Sequence, residues 1–414
     1  MSQSLIVLPM LIQVQIHVLH GKKSLISLNN RICYNFIYRE RGDIMKVAII
    51  STFDTFFDRV DLLKEYYQDK GLEVTVITSD YSHRLKEKYQ NNKADIQLSV
   101  RPYNKNLSID RLRSHDQFAK KVKEYLETLR PEIVHCIIPC NSLCKTMSAY
   151  KKEHDVKLIF DVNDLWPESL PVGNIKHRFP FTLWKNTRDK YIEHADMILS
   201  ECDYFKEILR KEHSSKWHTL HFAKKMHPSN TVGTFTLEEF SFCYLGSINN
   251  IIDIDLIVAF LSACTKLRKV KLHIIGGGEK KELLIEQVKQ NSIQVIDHGY
   301  IFEQEKKQEI LDQCQYGFNV MKDSVMVGLT MKSMDYMCGG LPMINTIKGD
   351  TAKICDEYSV GYNLTKDSIS EIVSLLEKET IDENRQKRET IKKVFMENFS
   401  QEAFNKTLER LEIV

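Results

Sequence analysis

From Lys46 onward, short apolar runs alternate with amphipathic stretches. VAIIS, EVTVITS, IVHCIIP, KLIFDV and MILSE are near-continuous runs of aliphatic and β-branched residues, the pattern of strands covered on both faces. Helical periodicity between them predicts helices around Val60 to Lys70, Asp110 to Arg130 and Tyr204 to Glu212. A polar segment from Met226 to Glu239, with Pro228, Asn230 and Gly233, reads as a linker. The alternation then restarts: SFCYLGS, a helix over Asp255 to Leu267, KLHIIGGG, a helix over Glu279 to Asn291, IQVIDHG, a helix over Glu303 to Gln313, YGFNVM, a helix carrying Lys332 and Asp335, and PMINT. Three further helices are predicted over Ser368 to Glu379, Glu383 to Phe395 and Gln401 to Leu411. Strand and helix taking turns imply parallel sheets, so the chain reads as two Rossmann-like α/β domains. No short tandem repeat interrupts this pattern.

Composition adds limits. A chain of 414 residues with 43% hydrophobic content can bury two cores, and a formal charge of +2 provides no global field for nucleic acid. The ten cysteines are scattered. Cys136, Cys140 and Cys144 lie in an apolar region without histidines at metal spacing and read as reduced core thiols; a helical ligand set would lack its fourth member. Residues 1–44 precede the pattern. Their apolar run, Leu5 to Leu19, is broken by Gln13 and Gln15 and is too short and too polar to span a bilayer. An unstructured upstream extension is expected there, with a membrane-associating segment as the alternative, and Met45 opens the first strand.

Candidate chemistry concentrates in Val327 to Asp350. Lys332 and Asp335, three apart, share a helix face near its start; Gly328 permits close backbone approach, and Gly339, Gly340 and Pro342 end the helix before a strand. Such a helix start suits an anion, although a lone Lys/Asp pair is equally a surface feature. Gly276, Gly277, Gly278 and Glu279 follow a strand, with Asp297 ending the next one. A dinucleotide fingerprint fails there because Lys281 occupies the third glycine position, leaving a tight strand-to-helix turn as the simpler reading. FDVNDLWPESLP places Asp161, Asn163, Asp164 and Glu168 beyond an apolar strand, where open α/β sheets bind ligands. The same residues could equally cap the turn, with Asp164 as N-cap, Glu168 as a helix-start charge, and Trp166 and Pro167 packing it.

The order of DVNDLWPES, YLGS, IIGGGE, HGYI and K-x-x-D-Y-x-x-x-G-x-P, from Met45 to about Ser400, resembles the retaining GT-B glycosyltransferases of family 4, in particular those of bacterial capsule, exopolysaccharide and O-antigen assembly. The resemblance implies two Rossmann-like domains with parallel sheets facing across a cleft: an acceptor-side domain over 45–225, a donor domain over 226–395, and a C-terminal helix over 396–414 that returns to the first domain. It implies transfer of a sugar from a nucleotide diphosphate to a saccharide or lipid-linked acceptor with retention. The nucleotide sugar is a co-substrate, and no metal or other cofactor is expected. Asp335 stands at the family's second motif glutamate, the ribose ligand, whereas Val327 replaces the first. Ser247, Ile248, Asn249 and Asn250 stand where an Arg and a Lys usually meet the diphosphate, which leaves Lys332 for that role and as a catalytic group. Asn163-Asp164 replaces the His-Asp of the catalytic region, with Asp164 expected to orient acceptor or sugar. Thr52 to Thr55 replace a glycine-rich loop.

By the same likeness, donor contacts fall to Gly246, Ser247, Asn249, Gly276, Gly277, His298, Gly299, Tyr300, Gly328, Leu329 and Thr330, with the base beside His298 to Ile301. Acceptor-side contacts fall to Asp54, Asp161 and Glu168. The departures from the family motifs keep open a non-catalytic nucleotide-sugar-binding subunit, and the architecture is shared by a sugar-nucleotide epimerase. Finally, Lys176 to Lys190 mixes Lys176, His177, Arg178, Lys185, Arg188 and Lys190 with Phe179, Phe181, Leu183 and Trp184. That mixture suits either an anionic bilayer surface or a basic helix with its aromatics in the core. The expected location is cytoplasmic, or peripheral on the inner face of the plasma membrane.

Overall fold

The computed structural model describes residues 44–170, 178–231 and 233–414. The expected upstream extension with its apolar run, and Lys176 and His177 of the basic stretch, lie outside the described residues. In chain order the first domain contains β1 (Lys46–Ser51), α1 (Phe57–Asp69), β2 (Glu73–Ser79), β3 (Ile96–Leu98), α2 (Ile109–Leu129), β4 (Ile133–Ile138), α3 (Asn141–Glu153), β5 (Lys157–Val162), α4 (Phe181–Asp189), β6 (Met197–Ser200), α5 (Asp203–Leu209) and β7 (Trp217–Thr219). Its seven strands run in the order β3-β2-β1-β4-β5-β6-β7, and every pairing is parallel. After the connecting residues 220–238, the second domain follows with β8 (Glu239–Leu245), α6 (Ile254–Cys264), β9 (Lys269–Ile275), α7 (Lys281–Gln290), β10 (Gln294–Asp297), α8 (Gln304–Asp312), β11 (Tyr316–Asn319), α9 (Met331–Cys338), β12 (Met343–Asn345), α10 (Asp350–Glu357), β13 (Gly361–Asn363) and α11 (Ile369–Lys378). Its six strands, ordered β10-β9-β8-β11-β12-β13, are also parallel. The architecture is two parallel α/β sheets.

Strand composition follows from double coverage. Phe240, Phe242 and Tyr244 of β8 pack into one apolar cluster, whereas Cys243 and Leu245, from the opposite pleat, join another. The nine described cysteines are all buried and free. Cys136 lies on a strand, Cys140 precedes α3 and Cys144 sits within it, so no helical C-x3-C-x3-C face exists. Several elements had no clear sequence signal: α3 and α10 are short or polar, and β3, β7 and β13 are three-residue edge segments.

The chain's end ties the domains together. Helix α12 (Ile381–Asn398) delivers Ser400 to a parallel bridge with Lys224, and α13 (Gln401–Arg410) then lies on the first domain. There Lys70 pairs with Glu409 at 2.7 Å, and Lys157 donates to the carbonyls of Glu412 and Ile413 at 2.7 and 2.9 Å.

Within the first domain, Arg59 of α1 is fully buried and donates to both oxygens of Asp161 at 2.7 and 2.8 Å. It also donates to the carbonyls of Leu220 and His221, and its guanidinium lies 5.5 Å from the Phe404 ring of α13. His135 Nε2 lies 3.2 Å from Asp161, and Tyr67 hydrogen-bonds His135 Nδ1 at 2.9 Å. Burial opposes ionisation of Asp161, but Arg59 and His135 prevail and hold its carboxyl down at about 2. Arg59→Ala should therefore lower stability by about 3–5 kcal/mol in urea unfolding, because it strands a buried carboxylate. The parent's share from this pair should be complete above the ordinary carboxyl value of 3.8 and vanish as pH falls toward 2.

Candidate active site

Parallel sheets gather their loops at the carboxyl ends of the strands, and both domains present those ends here. In the first sheet Ser51 pairs with Ile137, Ile138 with Val162, and Val162 with Ser200. The residues that follow, Thr52, Asn163 and Glu201, therefore emerge along one edge.

In the second domain the loops are shaped by backbone approach. Gly276 donates its N–H to Gly299 O at 2.6 Å, and Gly246 donates to Ile275 O at 2.8 Å. A Cβ on Gly276 would strike Gly246 O, and one on Gly278 would strike Ile248; both glycines also have positive φ, of 131° and 132°. The glycine run thus serves loop-on-loop packing. Lys281 Nζ lies 3.0 Å from Gly276 O and 2.6 Å from Asp297, so Asp297 is not a free ribose ligand of a dinucleotide site.

Helix α9 begins with a capping box in which Thr330 Oγ1 accepts from Ser333 N at 2.9 Å. A buried polar ladder, unsignalled in the sequence, holds this start. Asn319 donates to Ser333 Oγ at 2.9 Å and to Asn345 at 3.0 Å, and Thr351 donates to Gly328 O at 2.9 Å. Tyr336 OH accepts from Leu245 N at 2.8 Å and fixes α9 to β8. Lys332 and Asp335 diverge. Lys332 Nζ is buried and, among the described residues, without a hydrogen-bond partner, 3.8 Å from the Tyr244 ring centroid, and its Cε lies beside Gly246. Burial pushes its ammonium down to about 7. Asp335 Oδ1 instead accepts from Lys224 of the connecting segment at 2.5 Å.

The remaining second-domain candidates sort by burial. Leu329 is buried, and Ser247 is exposed. Asn249 Oδ1 accepts from Ile251 N at 3.1 Å and so caps its own turn. His298 Nε2 lies 3.1 Å from His273 Nδ1. Tyr300 is largely exposed, and its hydroxyl lies over Gly277.

Two of the acceptor-side expectations, Asp161 and Glu168, need correction. Asp161 is sealed in the Arg59 pair. Glu168 accepts from both terminal nitrogens of Arg188 at 2.9 and 2.7 Å, with Lys185 at 3.4 Å, and so braces α4 against the DLWPES turn. Asp164 Oδ1 accepts from Leu165 N at 2.8 Å and Ser169 Oγ at 2.5 Å, the capping role, while burial raises its carboxyl above the ordinary value. Asn163 donates to Asp161 and keeps its Oδ1 unpartnered. Asp54 Oδ2 accepts from Ser82 at 2.7 Å, with Oδ1 unpartnered.

Around these groups the fold assembles an aromatic box invisible in sequence. Phe53, Trp166 and Trp184 pack together, and Arg111 stacks over Trp166 at 3.9 Å. Arg111 Nε and Nη2, both nitrogens of His115, Thr52 Oγ1 and Asn141 Oδ1 are buried and unpartnered. His83 beside them is held neutral, at about 3, by burial and by Arg111. Elsewhere among the described residues, Glu127, Glu153 and His154 could converge on a metal ion, but Arg130 and Lys123 already neutralise the two carboxylates at 3.0 and 2.6 Å.

Residues 59–221 match the family described as Glycosyltransferase Family 4. Sucrose-phosphate synthase from Thermosynechococcus elongatus is similar in structure, with a TM-score of 0.65 at 12% identity over 89% of this chain and 98% of that one. HepE of Anabaena in complex with UDP gives 0.64 at 10% identity, covering 90% and 100%. The chain has the GT-B glycosyltransferase fold. The lipopolysaccharide outer core galactosyltransferase WaaB is a further neighbour, at 0.61 and 15% identity over 89% and 99%. No curated protein matches the sequence. Family match and neighbours together support a glycosyltransferase.

The desolvated Lys332 gives a measurable signature. Its folded value, about 7, lies below the ordinary 10.5, so the unfolded chain binds more protons between those values and stability rises with pH across that window. Lys332→Met should accordingly stabilise the protein by about 2 kcal/mol at pH 6. Denaturation series should show the gain shrinking from pH 7 to pH 10.5.

Proposed function

We propose that this protein transfers a sugar from a nucleotide diphosphate donor to a saccharide hydroxyl with retention of anomeric configuration, in the assembly of a bacterial surface polysaccharide. The observation that carries the reading is the unpartnered Lys332 ammonium beside Gly246, at the start of α9. An anion placed there meets the N–H groups of a helix start, and it restores the proton that burial weakens. HepE, one of the fold neighbours, is solved with UDP and with UDP-glucose, which supports a nucleotide sugar as donor.

In this reading the diphosphate lies between Lys332 and the Gly246 loop, the base lies near His298 to Ile301, and the ribose meets Asp335 through Oδ2, which Lys224 leaves open. The bond from anomeric carbon to diphosphate oxygen breaks, and the acceptor oxygen bonds to that carbon on the same face. The acceptor proton passes to the departing diphosphate. Charge grows on the leaving group, where Lys332 stabilises it. Asp164 is not assigned as a nucleophile, since its Oδ1 is engaged by Leu165 N and Ser169 Oγ in its own turn. No metal takes part in this scheme. Asn163 and Asp54, each with an open oxygen, and the box around Arg111 supply acceptor contacts.

Incubation with UDP- and GDP-sugars tests the reading and separates transfer from donor epimerisation and from binding alone. Lys332→Ala should lower the transfer rate about a hundredfold while donor affinity falls less, as steady-state kinetics would resolve. A change confined to the Michaelis constant would make Lys332 a binding group only.

A lipid-linked acceptor would place the enzyme at the membrane from the inner, cytoplasmic side. Among the described residues no helix is long and apolar enough to cross a bilayer. The basic stretch divides: Trp184 and Arg188 are buried, but Phe179 is 76% and Leu183 57% exposed. Exposed apolar side chains beside Arg178 and Lys185 suit an anionic surface. Sedimentation with phosphatidylglycerol vesicles should show salt-sensitive binding that Phe179→Asp with Leu183→Asp abolishes. Absence of binding at low salt would leave the same chemistry without membrane docking.

A further inference from the structure

Glu201 follows β6 directly, and its backbone N–H donates to Val162 O at 3.1 Å, which sets it beside Asn163 on the first sheet's carboxyl edge. The next residues touch the second domain. Cys202 Sγ and Tyr204 Cβ close over Gly328, and the N–H groups of Asp203 and Tyr204 donate to Asp350 at 2.8 and 2.9 Å. Glu201 therefore immediately precedes the first-domain residues that meet Gly328, and its carboxyl is close enough to Asp350 of the second domain to feel that charge. It is half-buried, and among the described residues no donor reaches its carboxyl. The charged groups around it are Asp161 and Asp164 from the first sheet, Asp350 from the second domain, and Arg59, which Asp161 already holds on two nitrogens.

We propose that Glu201 binds a ring hydroxyl of the transferred sugar from the first domain, while the second domain holds the diphosphate. This rests on the donor assignment above. A carboxyl without a partner in such surroundings costs stability unless a ligand completes it. Burial, joined by the neighbouring carboxylates and opposed by Arg59, drives its value well above the ordinary range, which favours the protonated carboxyl, able to donate through O–H and accept through its carbonyl oxygen. A side chain amide offers the same two functions, and an alkyl group offers neither.

The test uses the full chain with four pairs: UDP-glucose, UDP-galactose and UDP-N-acetylglucosamine, each against UDP, and GDP-mannose against GDP. For the sugar nucleotide that the parent binds, Glu201→Ala should weaken affinity about tenfold, the loss of one hydrogen bond, with free diphosphate binding unchanged. Glu201→Gln should stay within about threefold of the parent in both affinity and turnover. Equal losses for sugar nucleotide and free diphosphate, or no loss in Glu201→Ala, would overturn the assignment. A glutamine variant as impaired as the alanine one would overturn the neutral-acid role. A parent that binds neither diphosphates nor sugar nucleotides removes the donor reading and this proposal together.

Discussion

The buried contact between Arg59 and Asp161 is the constraint from which the rest of the site follows. It binds α1 to the end of β5, and Nη2 and Nη1 of the same arginine also hold the carbonyls of Leu220 and His221, where the chain leaves the first sheet. His221 continues the line, with Nε2 3.1 Å from Asp350, and Asp350 accepts from the backbone that follows β6. Burial works against the Asp350 charge, yet His221 and those N–H groups keep its carboxyl below the ordinary value. One run of charge-assisted hydrogen bonds thus reaches from the first core to the start of α10. Such bonds are strong only where water is excluded and every partner is present. Their geometry fixes how closely the Gly328 loop can approach the first sheet.

Across that gap the two domains use different materials. The second presents backbone: glycines whose missing Cβ atoms allow loops to touch, a capped helix start, and one ammonium whose desolvation leaves it poised for an anion. The first presents side chains, and their environments divide them. Asp161 and Glu168 are neutralised by arginines and belong to the scaffold, whereas Asp164 and Glu201 are driven toward the neutral form by burial. Carboxyls of both kinds sit within one sheet edge, and only the cation opposite each decides its chemistry.

Arg111 illustrates a third arrangement. Its charge rests on the faces of Trp166 and Trp184, and among the described residues it meets no carboxylate in a direct ion pair and two of its nitrogens lack partners. Aromatic faces stabilise a cation without saturating its hydrogen-bond donors. The guanidinium therefore retains donors for a ligand that an ion pair would have consumed.

The sequence alone determined the two parallel sheets and the position of helix α9, because strand runs, helical periodicity and the Gly339-Gly340-Leu341-Pro342 stop are local properties of the chain. It also marked Lys332 and the DLWPES turn as sites of unusual chemistry. It could not say that Lys332 and Asp335 face different partners, that Asp161 and Glu168 are taken by Arg59 and Arg188, or that Glu201 stands open. Those outcomes depend on pairs separated by 102, 20 and 111 positions, Arg59 with Asp161, Arg188 with Glu168 and Lys224 with Asp335. Helix and strand are specified by neighbours in the chain, whereas the charge state of a buried group is specified by whatever the fold places against it. Only the tertiary structure makes that placement.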